Sequence, residues 1–249
     1  MTKLSPYKRE SPFGYALGPY PCHVLLERRP EAARRLLLRP DGVGGEGVEA
    51  LRAKCASLGV REEFAANALR RESRKENCLV GLAFEKYRDE LCDEAPHAVL
   101  WRVSDFGNLG SSVRACLGFG IRDVALIAPA ADPFDPQAIR ASMGAMFGAR
   151  VEAFADFAAY RSRHPEHRIY PFMLGGALTP EAAGRDAPSR YALVFGNEGA
   201  GLPEEFASLG TGVRIPISDE IDSLNLACAV AIGAYAFSAR GRGLSIGGS

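Results

Sequence analysis

Residues 97–129 read HAVLWRVSDFGNLGSSVRACLGFGIRDVALIAP. The run HAVLWRVSD is apolar and of strand length. NLGSSVRACLGFG then has helical spacing, opening after Asp105 and ending at Gly118 or Gly120. RDVALIAP is a second strand, stopped by Pro129. Downstream the alternation continues: QAIRASMGAMFG as a helix, ARVEAF as a strand, FADFAAYRSR as a helix, then RIYPFML, YALVFGNE and GVRIPI as strands. Short apolar strands alternating with helices predict an α/β unit built on a mostly parallel sheet. The last helix, SLNLACAVAIGAYAFSAR, is apolar nearly all round, so it belongs in a core or an interface.

Working outward, residues 1–12 read as a flexible arm and 13–90 as a smaller α/β domain. That domain contains helices in CHVLLERR, VEALRAKCASLG and FAANALRRES, and strands in ARRLLLRP and CLVGLAF. The charged run EKYRDELCDE leads into a linker, residues 91–96, closed by Pro96. The second domain is 97–240, and the tail GRGLSIGGS, 241–249, reads as disordered.

Composition narrows the function classes. The 249 residues are 47% hydrophobic and 24% charged, enough for a buried core in one or two domains. No apolar run approaches the ~18 residues of a membrane span, and MTKLSPYKRESPFGY has no signal-peptide core. The six cysteines form no CxxC, and the four histidines make no ligand spacing with them. Reduced thiols, a cytoplasmic location and no metal are the expectation. The formal net charge is zero, so bulk charge does not mark a nucleic-acid binder.

Ligands of open α/β sheets sit at the carboxyl ends of strands. Three segments fall there: DFGNLGSSVRACLGFG, FGNEGAGLP and IPISDEIDSLN. Taken singly, each has a plain explanation. Asn108 can cap a helix, Arg114 can be a solvated surface charge, the glycines around Glu198 can be a turn, and Ser223 can cap the last helix. The GFG at 118–120 follows a helix rather than a strand, so it is not a dinucleotide fingerprint.

Taken in order they are more specific. N-x-G-x-x-x-R (Asn108, Gly110, Arg114), G-x-E-x-x-G-L (Gly196, Glu198, Gly201, Leu202) and I-P-x6-S-L-N (Ile215, Pro216, Ser223, Leu224, Asn225) precede an apolar helix. This order resembles the SpoU/TrmH branch of the SPOUT methyltransferases. RASMGAMFGARV, with Ser142, Gly144 and Ala145, is similar to the family's segment after the first motif. The resemblance covers about 97–238. It implies a deep trefoil knot, a homodimer with the last helix in its interface, and S-adenosylmethionine as cofactor. It also implies cofactor contacts at Gly196, Ile215 and Leu224, with Leu174, Gly175 and Gly176 lining the same pocket. It further implies catalytic roles for Arg114, Asn108, Glu198, Ser223 and Asn225 in methylating a ribose 2′-hydroxyl of RNA.

Residues 13–90 resemble the small L30e-type domain that precedes the catalytic domain in several family members, though SRKEN at 73–77 lacks that domain's usual histidine. The resemblance implies RNA contacts at Arg28, Arg29, Arg34, Arg35, Arg70, Arg71, Arg74 and Lys75. The alternative is that Glu27, Glu31, Glu72 and Glu76 neutralise these residues as surface ion pairs, each worth about 0–1 kcal/mol. Ribosomal RNA is the expected substrate because of the appended domain. A tRNA ribose methyltransferase, a catalytically silent RNA-binding protein of the same fold, and a small-molecule enzyme on an unrelated sheet are the competing readings.

Overall fold

The computed structural model describes residues 4–74 and 77–238. Contacts divide the chain into two compact units. One holds residues up to Arg88 together with Asp132–Gly148; the other holds Asp89–Ala131 and the chain from Ala149. Residues 132–148 therefore belong with the N-terminal unit, although the sequence reading assigned them to the second domain.

In the first unit, β1 (Phe13–Leu17), β2 (Ala33–Leu38), β3 (Arg61–Phe64) and β4 (Val80–Glu85) form a sheet in the order β1-β4-β2-β3. Only the β2–β3 pair is parallel. Helices α1 (Pro19–Arg28), α2 (Glu46–Ser57) and α3 (Ala66–Ser73) connect the strands. The core gathers Leu25, Leu26, Leu36, Leu51 and Phe84, and Ile139 and Phe147 join it from the later segment. Phe84 packs edge-on to Phe147. The predicted helix QAIRASMGAMFG is two pieces, α5 (Pro136–Ala141) and a 3₁₀ turn, Ala145–Phe147. Met143 (φ 52°) and Gly144 (φ 79°) are left-handed and end the first piece. A Cβ on Gly144 would lie 3.0 Å from Val24 Cβ, so the break sits against α1. The arm is not loose over 4–12. The Tyr7 N–H donates to Glu72 (3.1 Å), its hydroxyl donates to Asp132, and Leu4 and Tyr7 pack beside Leu69.

In the second unit, β5 (His97–Trp101), β6 (Asp123–Ile127), β7 (Arg150–Phe154), β8 (Arg168–Pro171) and β9 (Tyr191–Phe195) form an all-parallel sheet in the order β7-β6-β5-β9-β8. The helices are α4 (Phe106–Gly118), α6 (Phe157–Arg163), α7 (Pro180–Arg185) and α8 (Leu226–Ser238). Val99, Ala125, Ile127, Ala192 and Val194 share one face with Phe157, Tyr160 and Phe206. On the other face α8 packs against α4 and α7, and Gly233 approaches the stacked rings of Phe172 and Phe195. β5 and β9 are neighbours although they are about ninety residues apart in the chain, so the segments leaving their carboxyl ends, the end at which such sheets bind ligands, lie side by side.

Three sequence expectations change here. GVRIPI is not a strand. Val213 makes only isolated bridges to Phe172 and Leu178, and Pro216 has no N–H with which to extend a ladder. The linker is anchored, because Leu91 and Cys92 donate their N–H groups to Glu152 and Asp123. The last helix begins at Leu226, so Ser223 lies before it, and the side chain of Asn225 accepts from the Ala227 N–H at 2.9 Å. The expected tail, 241–249, lies outside the described residues.

Candidate active site

Three segments converge after β5, after β9 and before α8. The β5 segment turns at Arg102, a left-handed residue (φ 54°), and Asp105 then caps α4 by accepting from the Asn108 N–H at 2.7 Å. Asn108 is thus the third helical residue and not the cap. Its side chain is left for other work.

After β9, Asn197 and Gly201 exchange backbone hydrogen bonds, so residues 197–201 form a closed turn rather than a loose one. The Asn197 Oδ1 accepts from Gly199 N (2.9 Å), and its Nδ2 donates to Arg102 O (2.8 Å). A Cβ on Gly196 would lie 2.2 Å from the Gly201 carbonyl carbon, and one on Gly176 would lie 2.3 Å from that of Val213. Glycine is required at both places because chain crosses chain.

Glu198 is the hub. It accepts from Ser104 N and Oγ (both 3.3 Å), Asp105 N (3.1 Å), Asn108 Nδ2 (3.3 Å) and Asn197 Nδ2 (3.0 Å). Burial works to raise its pKa. The donors outweigh burial, and the carboxyl is held below its ordinary range. Because an ionised carboxylate only accepts, it sets the direction of every neighbouring amide. Asn108 must turn Nδ2 towards Glu198, so its Oδ1 faces Asn225 and accepts from Asn225 Nδ2 at 2.8 Å. Asn225 then presents Oδ1 to the start of α8. A one-way relay therefore ties all three segments together.

Of the expected catalytic residues, Asn108, Glu198 and Asn225 are brought into this network. Ser223 and Arg114 are exposed and make no hydrogen bond or ion pair among the described residues. Among the expected cofactor residues, Leu174 is 64% exposed, Gly175 is open, and Gly196, Ile215, Leu224 and Gly176 are half-buried. The backbone of Ile215 and Leu224 makes no backbone–backbone hydrogen bond among the described residues. Ser104, Asp105 and Asn197 were not anticipated. The G-N-x-G spacing, where an asparagine can bond backbone two residues on, carried a signal for Asn197, and the helix start for Asp105; Ser104 carried none.

The arginine cluster of the first unit divides. Arg34 pairs with Glu85, Arg35 with Glu63 and Arg71 with Glu72. Arg29 stacks over the Tyr87 ring at 4.4 Å. Arg28, Arg70 and Arg74 are exposed and make no side-chain hydrogen bond or salt bridge among the described residues, although Asp41 feels the charge of Arg70 and Asp135 that of Arg74; Lys75 lies outside those residues. No helix among the described residues is long and apolar enough to cross a membrane, and Cys22, Cys55, Cys78, Cys92, Cys116 and Cys228 are all free thiols. Although no ligand spacing was legible, the fold brings His97, His164 and His167 together at the opposite end of β5 from the relay.

Comparison with known proteins agrees with this geometry. The chain is 34% identical over 149 residues to ribosomal RNA small subunit methyltransferase G 2 of Syntrophobacter fumaroxidans, a match covering 58% of this chain and 27% of that protein. It is 35% identical over 151 residues to the tRNA (cytidine/uridine-2′-O-)-methyltransferase TrmJ of Yersinia enterocolitica, covering 55% and 57%. The chain thus spans from about a quarter to rather more than half the length of these relatives. The crystal structure of an AdoMet-bound rRNA methyltransferase from Sinorhizobium meliloti superposes with a TM-score of 0.76 at 26% identity, over 92% of this chain and 87% of that one. A profile of the SpoU rRNA Methylase family matches residues 96–235, which contain all three converging segments. The chain belongs to the SpoU rRNA Methylase family.

Proposed function

We propose that this protein methylates a ribose 2′-hydroxyl of RNA with S-adenosylmethionine as donor. The observation that carries the proposal is the Asn225–Asn108–Glu198 relay at the carboxyl ends of β5 and β9, built from three segments distant in sequence, one of which, α4, also carries Arg114. The cofactor supplies an electrophilic methyl on a good leaving group. What the chain must supply is positioning and proton handling.

Gly196, Ile215 and Leu224 hold the cofactor through backbone groups, with Leu174, Gly175 and Gly176 beside them. The turn at 197–201 keeps that wall fixed. Arg114 stabilises the alkoxide that develops as the hydroxyl loses its proton. A guanidinium keeps its own proton at working pH, so electrostatic stabilisation suits it better than acting as base. Asn108, Glu198 and Asn225 orient the ribose and the first turn of α4, and Ser223 completes the rim.

Ribosomal RNA is the proposed substrate, because likeness to the Sinorhizobium rRNA methyltransferase runs over 92% of this chain and so takes in the N-terminal unit. That unit, an L30e-type domain in this reading, contacts RNA through Arg28, Arg70 and Arg74. The working form is a cytoplasmic homodimer. Only Leu226, Val230, Gly233, Ala234 and Phe237 of α8 are buried within one chain, and Tyr235 is 60% exposed on an otherwise apolar helix. A trefoil knot is part of the same reading.

The test is mass mapping of ribose methylation in RNA from cells with and without the gene, joined to methyl transfer by the purified protein. Loss of one rRNA 2′-O-methyl group is expected. A change confined to tRNA would favour the activity named for the Yersinia relative, and a methylated base would overturn the ribose assignment.

A further inference from the structure

The relay uses none of the buried histidines. His97 opens β5, His164 follows α6 and His167 precedes β8. They are 0%, 2% and 2% exposed, and one ring nitrogen from each lies within 4.8 Å of the others. The outer nitrogen of each ring faces an oxygen that can only accept. His97 Nε2 lies 3.0 Å from Cys92 O, His164 Nδ1 lies 2.6 Å from a carboxylate oxygen of Asp93, and His167 Nε2 lies 2.9 Å from Ala95 O. Each outer nitrogen therefore carries the proton, and each neutral ring keeps a lone pair on the other nitrogen. His97 Nδ1 accepts from Tyr160 Oη at 2.9 Å. His164 Nε2 and His167 Nδ1 are buried and have no partner. A buried acceptor left without a partner is destabilising, so two in one place require an explanation. Burial pushes His97 down to about 4, against the Cys92 carbonyl bond, and lowers His167 as well.

We propose that these three histidines bind a zinc-type divalent transition metal. Neutral imidazoles whose outer N–H groups are fixed by carboxylate or backbone carbonyl are the usual ligand arrangement for such ions. Tetrahedral zinc with Zn–N of about 2.0–2.1 Å needs ligand atoms roughly 3.4 Å apart, so the rings must rotate inward by about an ångström. His97 and His167 are stacked with centroids 3.9 Å apart, so one of the two rings must turn out of the stack to aim its lone pair at a shared ion. Tyr160 Oη, which donates to His97 Nδ1, must give up that nitrogen to the ion. The ion would tie the 92–97 entry segment to the turn between α6 and β8, away from the relay, and so would act as a structural staple.

The test uses the full-length, tag-free protein, stripped with chelator and dialysed against zinc chloride, with bound metal counted by mass spectrometry. Cobalt substitution provides a coordination spectrum. One zinc per chain and the intense visible bands of tetrahedral cobalt are expected for the wild type and for His23→Gln. His164→Gln and His167→Gln should abolish both. Asp93 is largely exposed, so Asp93→Asn keeps the fold, and it should weaken binding by about 10–100-fold through the outer bond. No bound zinc in the wild type, or equal binding in His164→Gln and His167→Gln, would overturn the proposal. Methyl transfer is not the readout, so the outcome is independent of the proposed reaction.

Discussion

Arg114 and Glu198 differ in how much of their role is visible from their own surroundings. Arg114 is exposed, and no side chain among the described residues ties it. Replacing it with alanine should leave the fold and cofactor affinity within a few-fold while lowering turnover by about 10²–10³-fold. Calorimetric cofactor binding beside single-turnover kinetics separates the two effects, and near-normal turnover would sink the assignment. Glu198 organises its neighbours, so Glu198→Gln places an amide among groups that all donate. The loss should be about 1–3 kcal/mol. Because its folded pKa is depressed, Glu198 contributes stability that is present above the unfolded carboxyl pKa of about 4.3 and is lost as pH falls through the folded value. Melting temperatures recorded from neutral pH downward should therefore fall less steeply in the Gln variant than in the wild type. The identity of these residues was legible in the order of three motifs. The direction of each amide was not, because it follows from one carboxylate that touches residues about ninety positions away.

At the level of elements, α8 shows what periodicity can and cannot say. Its apolar composition predicted burial, and one stripe, Leu226–Val230–Gly233–Phe237, is buried. Why position 233 is glycine needed the packing. A Cβ there would lie 2.7 Å from Phe172 Cζ and 2.9 Å from Phe195 Cζ, end-on to a stacked aromatic pair. Gly233→Ala should destabilise by about 1–3 kcal/mol through overpacking, despite alanine's better helix propensity. Chemical denaturation decides the sign, and a stabilised variant would contradict the packing. The short elements that sequence reading passed over are β1, β3 and α7. β3 reads REEF, is mostly exposed, and has too little apolar pattern to be distinguished from loop. The helix expected across 137–148 failed at Met143 and Gly144, where residues distant in sequence outweigh local periodicity.

For the molecule as a whole, the first prediction concerns charge. Net charge is zero, so RNA affinity must come from arginines not already neutralised. Changing Arg28, Arg70 and Arg74 together to alanine should weaken binding about equally across sequences and flatten the salt dependence by roughly 2 in log–log slope. Filter binding over a range of salt tests this, and an unchanged slope would place the RNA elsewhere. The second prediction concerns folding units. Ile139 and Phe147 belong to the core of Leu25, Leu36 and Phe84. A chain begun at residue 89 exposes them, so it should melt lower and aggregate, rather than behave as an independent domain as the linear boundary at 91–96 suggested.

The sequence alone determined the alternation of strand and helix, the parallel sheet and the three motif segments, because hydrophobic period and turn chemistry are local properties. The tertiary structure decided which arginines are already paired, which glycines mark crossings of the chain, and where residues 132–148 pack. It also decided that three histidines with no shared spacing meet in one core. Each of these depends on atoms brought together across tens of residues, which no local pattern encodes.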